Sequence, residues 1–202
     1  MKHSPPPNEP PPKAPAALID QQALARSILH FWFDEHGRND WFARRARFDA
    51  EIRRRFGAAH AAALAGKLDA MRANPDGALA LILLLDQFSR NLYRDDRRAF
   101  AGDEKARAIA REALARRFDM IAPRARRAFF YMPFMHSEAL ADQELCVRLF
   151  TARLPGSYNH RYAEDHRDIV ARFGRFPHRN RVLGRQSTPE EAAYLAGGGF
   201  NP

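Results

Sequence analysis

The sequence predicts an all-α fold of about eight or nine helices in antiparallel pairs. Apolar residues recur at the three- and four-residue spacing of a helix along most of the chain, as in Leu24, Ile28 and Phe31. No run alternates apolar and polar residues as a half-buried strand does, and no Asn-Gly or Asp-Gly turn links two such runs. No internal repeat of fixed period is visible.

Length and composition favour one globular domain behind a polar tail. At 202 residues, of which 46% are hydrophobic and 28% charged, the chain is long enough to bury a sizeable core. Residues 1–16 are rich in proline and cannot build a core. We therefore expect a disordered or extended tail over residues 1–16, followed by a single all-helical domain over residues 17–202.

Several features favour a cytoplasmic protein that does not enter a membrane. No apolar run reaches the roughly 20 residues that a bilayer crossing needs, and the N-terminus lacks the apolar stretch of a secretory signal. The one cysteine, Cys146, excludes an internal disulfide and fits a reducing compartment. It lies beside Leu145 and Leu149 in a helical run, so we interpret it as a buried structural thiol.

The first two helices are predicted from the spacing of apolar residues. Helical periodicity begins near Leu18, and Gly37 follows the first helix. Trp41 and Phe42 open the second helix, which continues through an alanine-rich stretch to Leu64.

The third predicted helix spans Ala78–Arg94 and changes character halfway along. Asn74 and Pro75 before it indicate an N-cap and a proline at the first helical position. Its first half, up to Leu85, is an unbroken apolar run, so a helix there must be surrounded by protein. Its second half is polar.

Charged residues, prolines and glycines delimit the remaining helices. Asp103 and Glu104 favour a helix start. Pro123 is the candidate first residue of a helix through Phe130, and Pro133 is expected to interrupt or kink it because its nitrogen has no hydrogen to donate. Three further helices are predicted: MHSEALADQELCVRLFTARL, a helix that Gly174 ends, and a short helix behind the capping box Thr188–Glu191.

The polar half of the third predicted helix is the first candidate for a site. Asp86, Arg90 and Arg94 recur every four residues. Gln87 and Asn91 form a second pair on the adjoining row. Several charged groups at the end of a buried helix often line a binding pocket. We favour this interpretation for the polar half of the helix. Alternatively, the Asp86–Arg90 pair serves only to fix the register of the helix.

The second candidate is Arg172–Arg185, with the sequence RFGRFPHRNRVLGR. It sets Arg175 and Arg179 beside His178 and Asn180, and such a segment can hold several donors around an anion. The alternative is a rigid loop whose arginines cap carbonyl groups and pair with acids.

The third candidate is Tyr131–Gln143, with the sequence YMPFMHSEALADQ. His136 and Glu138 follow the Pro133 break and can act as a base and its partner. Ser137 between them would need a neighbouring base to become a nucleophile. The alternative is a histidine at a helix start that satisfies a local hydrogen bond.

These three stretches are predicted to converge on one pocket without a cofactor or a metal ion. His160, Glu164 and His166 lack the spacing of a zinc-binding helix, and no cysteine pair is available. The predicted catalytic residues are Asp86, His136, Glu138 and His178, and the predicted ligand-binding residues are Gln87, Arg90, Asn91, Arg94, His166, Arg175, Arg179 and Asn180.

The chain is strongly basic, with a formal net charge of +9. The densest basic group lies between Arg44 and Arg55, but no zinc-finger spacing or RNA-binding motif accompanies it. Net charge alone indicates non-specific attraction, so we do not expect nucleic acid to be the partner.

Three stretches of the chain together resemble a bacterial family, Domain of Unknown Function 924: LALILLLDQFSRNLYR, FYMPFMHSE and HRDIVARFGRFPHRNRVLGRQSTPEEAAYL. The resemblance covers about Ala17 to Phe200 and includes the ILHFWF start. It implies an all-α fold similar to the superhelices of tetratricopeptide-repeat proteins. It assigns no activity and no catalytic residue to this chain.

Three classes of function stay open on the sequence. The favoured one is a protein that binds a small molecule with a phosphate or carboxylate group, or an enzyme of the hydrolase or transferase type that acts on one. The second is a helical scaffold for a protein partner, by analogy with tetratricopeptide repeats. The third is non-specific binding of nucleic acid.

Overall fold

A computed structural model of the protein describes residues 20–41 and 43–200. The predicted tail, residues 1–16, and the helix start near Leu18 lie outside these ranges. Within them the chain forms helices and no strand, which confirms the all-α prediction. The α-helices are α1 (Gln21–His30), α2 (Arg38–Trp41), α3 (Ala46–Leu64), α4 (Pro75–Ile82), α5 (Ser89–Leu92), α6 (Asp103–Ala115), α7 (Phe118–Ile121), α8 (Ala128–Met135), α9 (Leu140–Arg153), α10 (Asn159–Phe173), α11 (Asn180–Leu183) and α12 (Pro189–Ala196).

Eight of these twelve described helices have eight residues or more, in line with the predicted number. Consecutive long helices pack against each other, α8 against α9 and α9 against α10, and α4 packs against α1, α6 and α8. This packing is compatible with a tetratricopeptide-like superhelix, which stays a prediction. In the described part of the chain, no helix combines the length and the apolar character that a membrane crossing requires.

The centre of the core is α4, as the sequence predicts. Asn74 caps its N-terminus, because the side-chain oxygen accepts the N–H of Gly77 at 2.9 Å, and Pro75 is its first residue. Every residue from Ala78 to Leu85 is buried. Each leucine buried in this way stabilises the fold by about 2 kcal/mol. The buried helix is therefore held firmly, and it fixes the position of the polar segment that follows it in the chain.

The polar half of the same helix begins in a π-helical turn, Leu83–Phe88, that joins α4 to α5. A π-helical turn widens the helix, and such turns are frequent at functional sites. Asp86 and Gln87 lie in this turn and are both buried. The helix therefore does run from the core into a polar cluster.

The predicted second helix does not begin at Trp41. Trp41 ends the single-turn helix α2, and the long helix α3 begins at Ala46. The reason is a contact with the π-helical turn Phe31–Glu35 that follows α1: the indole N–H of Trp41 donates to the carbonyl of Trp32 at 2.8 Å, and the two rings stack with centroids 5.5 Å apart. Phe42 lies outside the described residues.

Pro133 does not interrupt its helix; an interruption was one of the two expected outcomes, the other being a kink. Pro133 lies inside α8, which continues to Met135. A proline at this position removes one hydrogen bond, and the buried rings of Phe130 and Phe134 hold the helix on both sides of it. His136 follows as the C-terminal cap, with its backbone N–H on the carbonyl of Met132.

The predicted helix does not begin at MHSE, because Met135 ends α8, residues 136–139 form a connection, and α9 begins at Leu140. The Ser137 hydroxyl donates to Asp142 at 2.7 Å and accepts the N–H of Ala139 at 3.2 Å, which makes a tight turn. Cys146 in α9 is fully buried, as expected of a structural thiol.

Candidate functional site

The three candidate stretches meet at a cavity of about 300 Å³. Its walls come from the turn Leu83–Phe88 and α5, the end of α8, α10, and the segment from Pro177 to Leu183. Eight of the predicted site residues line it: Gln87, Arg90, Asn91, Arg94, His136, His166, His178 and Arg179.

Asp86 lies behind the cavity wall and holds two of its residues. Its Oδ1 is 2.7 Å from the Nδ1 of His136 and 3.0 Å from the Nη1 of Arg90, and the amide of Gln87 donates to its Oδ2 at 2.6 Å. Burial opposes its charge, but Arg90 and His136 outweigh this effect and hold the pKa of Asp86 well below its ordinary range. Asp86 is therefore an anion at neutral pH.

The contact with Asp86 fixes the chemistry of His136. A carboxylate can only accept, so the Nδ1 of His136 must carry the proton, which leaves the lone pair on Nε2. Burial lowers the pKa of His136, and this effect together with that of Arg90 outweighs the opposing effect of Asp86. His136 is thus a neutral imidazole, and this is the state that a general base needs.

Arg90 is held from a second side by Asp103, at the start of α6. Its Nη1 and Nη2 donate to the two carboxylate oxygens of Asp103, both at 3.1 Å. Gly102 makes this approach possible: a Cβ there would lie 2.4 Å from the carbonyl oxygen of Leu85. From the sequence, Asp103 was expected only to favour the start of a helix by its charge. Nothing in the sequence relates Asp103 to Arg90.

Arg94 and Asn91 are bound to Asp49 of α3. The Nη2 of Arg94 donates to Asp49 at 2.9 Å, and the amide of Asn91 donates to it at 2.8 Å. Both side chains line the cavity, but part of their hydrogen-bonding capacity is already taken. Asp49 is a further residue that sequence reasoning missed.

Arg179 differs from the other arginines of the cavity. Its side chain is buried, with a residue exposure of 7%, and among the described residues no carboxylate forms an ion pair with it. Its Nε is buried, and the described part of the chain gives it no hydrogen-bond partner. The rings of Phe100 and Phe176 pack against the guanidinium, with centroids 4.7 and 4.4 Å from Cζ. Burial, helped by Arg90, lowers the pKa of Arg179 to about 10, so the group stays a cation at neutral pH.

His166 and His178 complete the cavity as neutral groups. The Nδ1 of His166 donates to the carbonyl of Tyr162 at 2.6 Å, which leaves the lone pair on Nε2. Burial lowers the pKa of His166 to about 3 and that of His178 to about 4. The ring of Phe200 packs against both imidazoles, with centroids 4.5 and 5.6 Å away. Sequence reasoning did not single out this phenylalanine.

Three predicted site residues lie beside the cavity and contact protein groups. Glu138 accepts two hydrogen bonds from Arg185, at 2.7 and 2.9 Å. Arg175 pairs with Glu191 at 2.6 Å, and Asn180 donates to the same carboxylate at 3.1 Å. These contacts hold the segment from Pro177 to Leu183 in place. The rigid-loop interpretation of Arg172–Arg185 therefore fits Arg175 and Asn180, whereas the anion-binding interpretation is left to the cavity residues Arg179 and His178.

In the part of the chain that the structure describes, carboxylates pair with several arginines of the basic group between Arg44 and Arg55. Arg44 pairs with Asp95 at 3.1 Å, and Arg55 pairs with Glu35. Glu35 also belongs, with His36 and Glu51, to a group whose ligand atoms are close enough to hold a metal ion, but its carboxylate is already occupied by Arg55.

The comparisons with known proteins agree with this fold. The model of the family described as "Bacterial protein of unknown function (DUF924)" matches residues 28–199. The solved structure of a protein of unknown function from Agrobacterium tumefaciens is similar, with 44% sequence identity, a TM-score of 0.83, and coverage of 87% of this chain and 98% of that chain. No curated protein matches. The chain belongs to the bacterial DUF924 family.

Proposed function

We propose that the protein binds a small molecule with a carboxylate or phosphate group in this cavity, and that His136 acts on it as a general base. The observation that carries the proposal is that Arg179 is buried beside the cavity without an acid partner among the described residues. An unpaired cation in a buried position lowers stability. A fold that places one beside a cavity therefore has a use for it, and the use that fits is to bind an anion.

The chemistry follows from the Asp86–His136 pair. With Nδ1–H held by Asp86, the Nε2 of His136 takes a proton from a water or hydroxyl nucleophile as its oxygen attacks the bound molecule. Asp86 stabilises the imidazolium that results. The imidazolium then gives the proton to the leaving group, and His136 returns to its neutral state. This sequence describes hydrolysis or group transfer and needs no metal ion.

Ligand binding is tested by thermal shift against a panel of carboxylate- and phosphate-bearing metabolites. We expect at least one compound to raise the Tm of the wild-type protein by several degrees, about what a ligand at 100 times its Kd produces. The Arg179→Met variant should lose this response. Arg181→Gln is the matched control, because Arg181 is a neighbouring arginine whose side chain is 82% exposed. A folded wild-type protein that responds to no compound would contradict the proposal.

The role of His136 is tested with the compounds that bind. We expect His136→Gln to bind them with similar affinity but to turn them over about 10²–10⁴ times more slowly than the wild type, as measured by mass spectrometry of the products. Turnover that is unchanged in this variant would refute the general-base role and leave the binding site standing.

The other two functional classes are less well supported. Two of the arginines between Arg44 and Arg55 that would meet nucleic acid, Arg44 and Arg55, form ion pairs with Asp95 and Glu35. A scaffold role and a cytoplasmic location stay predictions from the sequence.

A further inference from the structure

We propose that the anionic group of the ligand is a carboxylate, carried on a body with an apolar face, and that Arg179 binds it through two parallel hydrogen bonds. This inference rests on the proposed function and narrows it, since the cavity was so far assigned to either a carboxylate or a phosphate. Three features carry it: the charge balance of the cavity, the surroundings of Arg179, and the apolar lining.

The pairing of the lining charges leaves Arg179 as the place where an anion would bind. Arg179 is the one charged group of the cavity lining for which the described residues supply no ion-pair partner. The other lining charges are each paired, and the pairs are Arg44–Asp95, Arg90–Asp86, Arg90–Asp103, Arg94–Asp49 and Asp96–Arg98.

A dianion is disfavoured by the two acids next to Arg90. Asp86 and Asp103 share this one arginine, so the four groups Asp86, Asp103, Arg90 and Arg179 sum to zero charge. A bound monoanion adds one negative charge to this set, and a phosphate monoester adds nearly two. Because both acids are buried next to Arg90, behind the cavity lining, water would screen their repulsion of the second charge only weakly.

The surroundings of Arg179 favour a planar acceptor. Phe100 and Phe176 pack against the guanidinium and hold it in place. A guanidinium offers its N–H groups as a fork in its own plane, and the two oxygens of a carboxylate match this fork. Among the described residues that line the cavity, the permanently cationic side chains are all arginines, so no flexible ammonium group is there to wrap a tetrahedral anion.

The rest of the lining favours an apolar body. Trp41, Phe100, Val182 and Phe200 contribute apolar surface to the same cavity. Small-molecule sites typically combine such walls with a few polar groups that fix orientation. A carboxylate on Arg179 thus places the adjoining apolar part of the ligand among these side chains and within the cavity that His136 lines.

The inference is tested with three aryl anions of matched size at about pH 8, namely benzoate, benzenesulfonate and phenylphosphonate. They separate charge from shape: benzoate is a planar monoanion, benzenesulfonate is a tetrahedral monoanion, and phenylphosphonate is mainly a dianion. Pentanoate and butylphosphonate repeat the comparison on an alkyl body. Affinities are measured by calorimetry at one ionic strength, for the wild type, Arg179→Met, Arg179→Lys and the Arg181→Gln control.

We expect benzoate to bind about tenfold more tightly than either tetrahedral anion. We also expect its affinity to fall at least about tenfold in Arg179→Met and in Arg179→Lys, since lysine keeps the charge but lacks the fork. Arg181→Gln should bind as the wild type does.

Each alternative outcome has a distinct meaning. If phenylphosphonate and butylphosphonate bind most tightly and depend on Arg179, the carboxylate assignment is overturned and the proposed function stands. If carboxylates bind equally well to Arg179→Met, the assignment to Arg179 is wrong. If no anion of either series binds to the folded wild type, both the inference and the proposed function fall.

Discussion

At the scale of single residues, the contact between Asp86 and His136 decides which ring nitrogen is available in the cavity. The carboxylate accepts from Nδ1 at 2.7 Å, so Nε2 is left without a proton. The sequence predicted both residues as catalytic but gave Glu138, not Asp86, as the partner of His136. The 50-residue separation in the chain explains why: only packing of α8 against the turn after α4 brings the two together.

Replacing this carboxylate by an amide should therefore reverse the tautomer. In Asp86→Asn, the side-chain NH₂ can donate to Nδ1, and the loss of the negative charge should lower the pKa of His136 further. We expect the proton to move to Nε2, which is measurable from the ¹⁵N shifts of the ring. Asp168→Asn, at an exposed carboxylate outside the cavity lining, is the control. A ring that keeps its proton on Nδ1 in Asp86→Asn would contradict this assignment.

Two cavity arginines should have opposite effects on stability. Arg179 has no acid partner among the described residues, so we expect Arg179→Met to raise the free energy of unfolding by about 1 kcal/mol or more. Arg90→Met should lower it by about 3–5 kcal/mol, because Asp86 and Asp103 would then be buried without their cation. Urea unfolding of both variants measures the difference. Destabilisation by Arg179→Met would mean that the group is structural.

At the scale of elements, one glycine sets the position of α6 against the site. A Cβ at Gly102 would lie 2.4 Å from the carbonyl oxygen of Leu85, so Gly102→Ala must push the start of α6 away from Arg90. We expect a loss of about 1–3 kcal/mol in the free energy of unfolding, together with weaker anion binding. Gly57→Ala in α3 is the matched control, since nothing lies within 4 Å of its new Cβ, and it should stabilise the helix. Equal effects of the two substitutions would rule out the steric explanation.

Local signals in the sequence located some helix ends and not others. The N-cap at Asn74 and the capping box Thr188–Glu191 were predicted correctly, because each depends on residues within one turn. The predicted helix start at Trp41 was wrong, and the helix does not end at Pro133, because stacking on Trp32 and burial of the aromatic side chains of α8 decide these two positions. Contacts between elements, which a single sequence does not display, decided these cases.

At the scale of the whole molecule, the neutral buried histidines make stability depend on pH. Burial lowers the pKa of His166 to about 3 and of His178 to about 4. The unfolded chain takes up these protons near the ordinary value of about 6.5. On acidification below this value the unfolded state binds more protons than the folded state, so the free energy of unfolding falls as the pH drops.

We expect the free energy of unfolding to fall by about 1.4 kcal/mol per pH unit for each of these two histidines between about pH 6 and pH 4.5. The fall ends only below the pKa values of the folded protein. Urea midpoints across this range measure it. In a double variant that carries His166→Gln and His178→Gln, the free energy of unfolding should depend less steeply on pH. The variant His30→Gln, at an exposed histidine, should keep the slope of the wild type. An unchanged slope in the double variant would show that other groups cause the pH dependence.

The sequence indicated the polar residues of the candidate site better than the aromatic residues that line the same cavity. Charged residues at regular spacing after the apolar run of α4 pointed to Arg90 and its neighbours, and the dense FPHRN segment pointed to Arg179. Asp49, Phe100 and Phe200 gave no such signal. They resemble ordinary helix or loop residues until the fold brings them to the cavity.

The position of Trp41 has a practical consequence. It lines the cavity and stacks on Trp32, and these are the two tryptophans of the sequence. All of the indole emission of the protein therefore originates at, or one ring away from, the place where a ligand would enter. Titrations can be followed by intrinsic fluorescence, without a label and without knowing in advance what the natural ligand is.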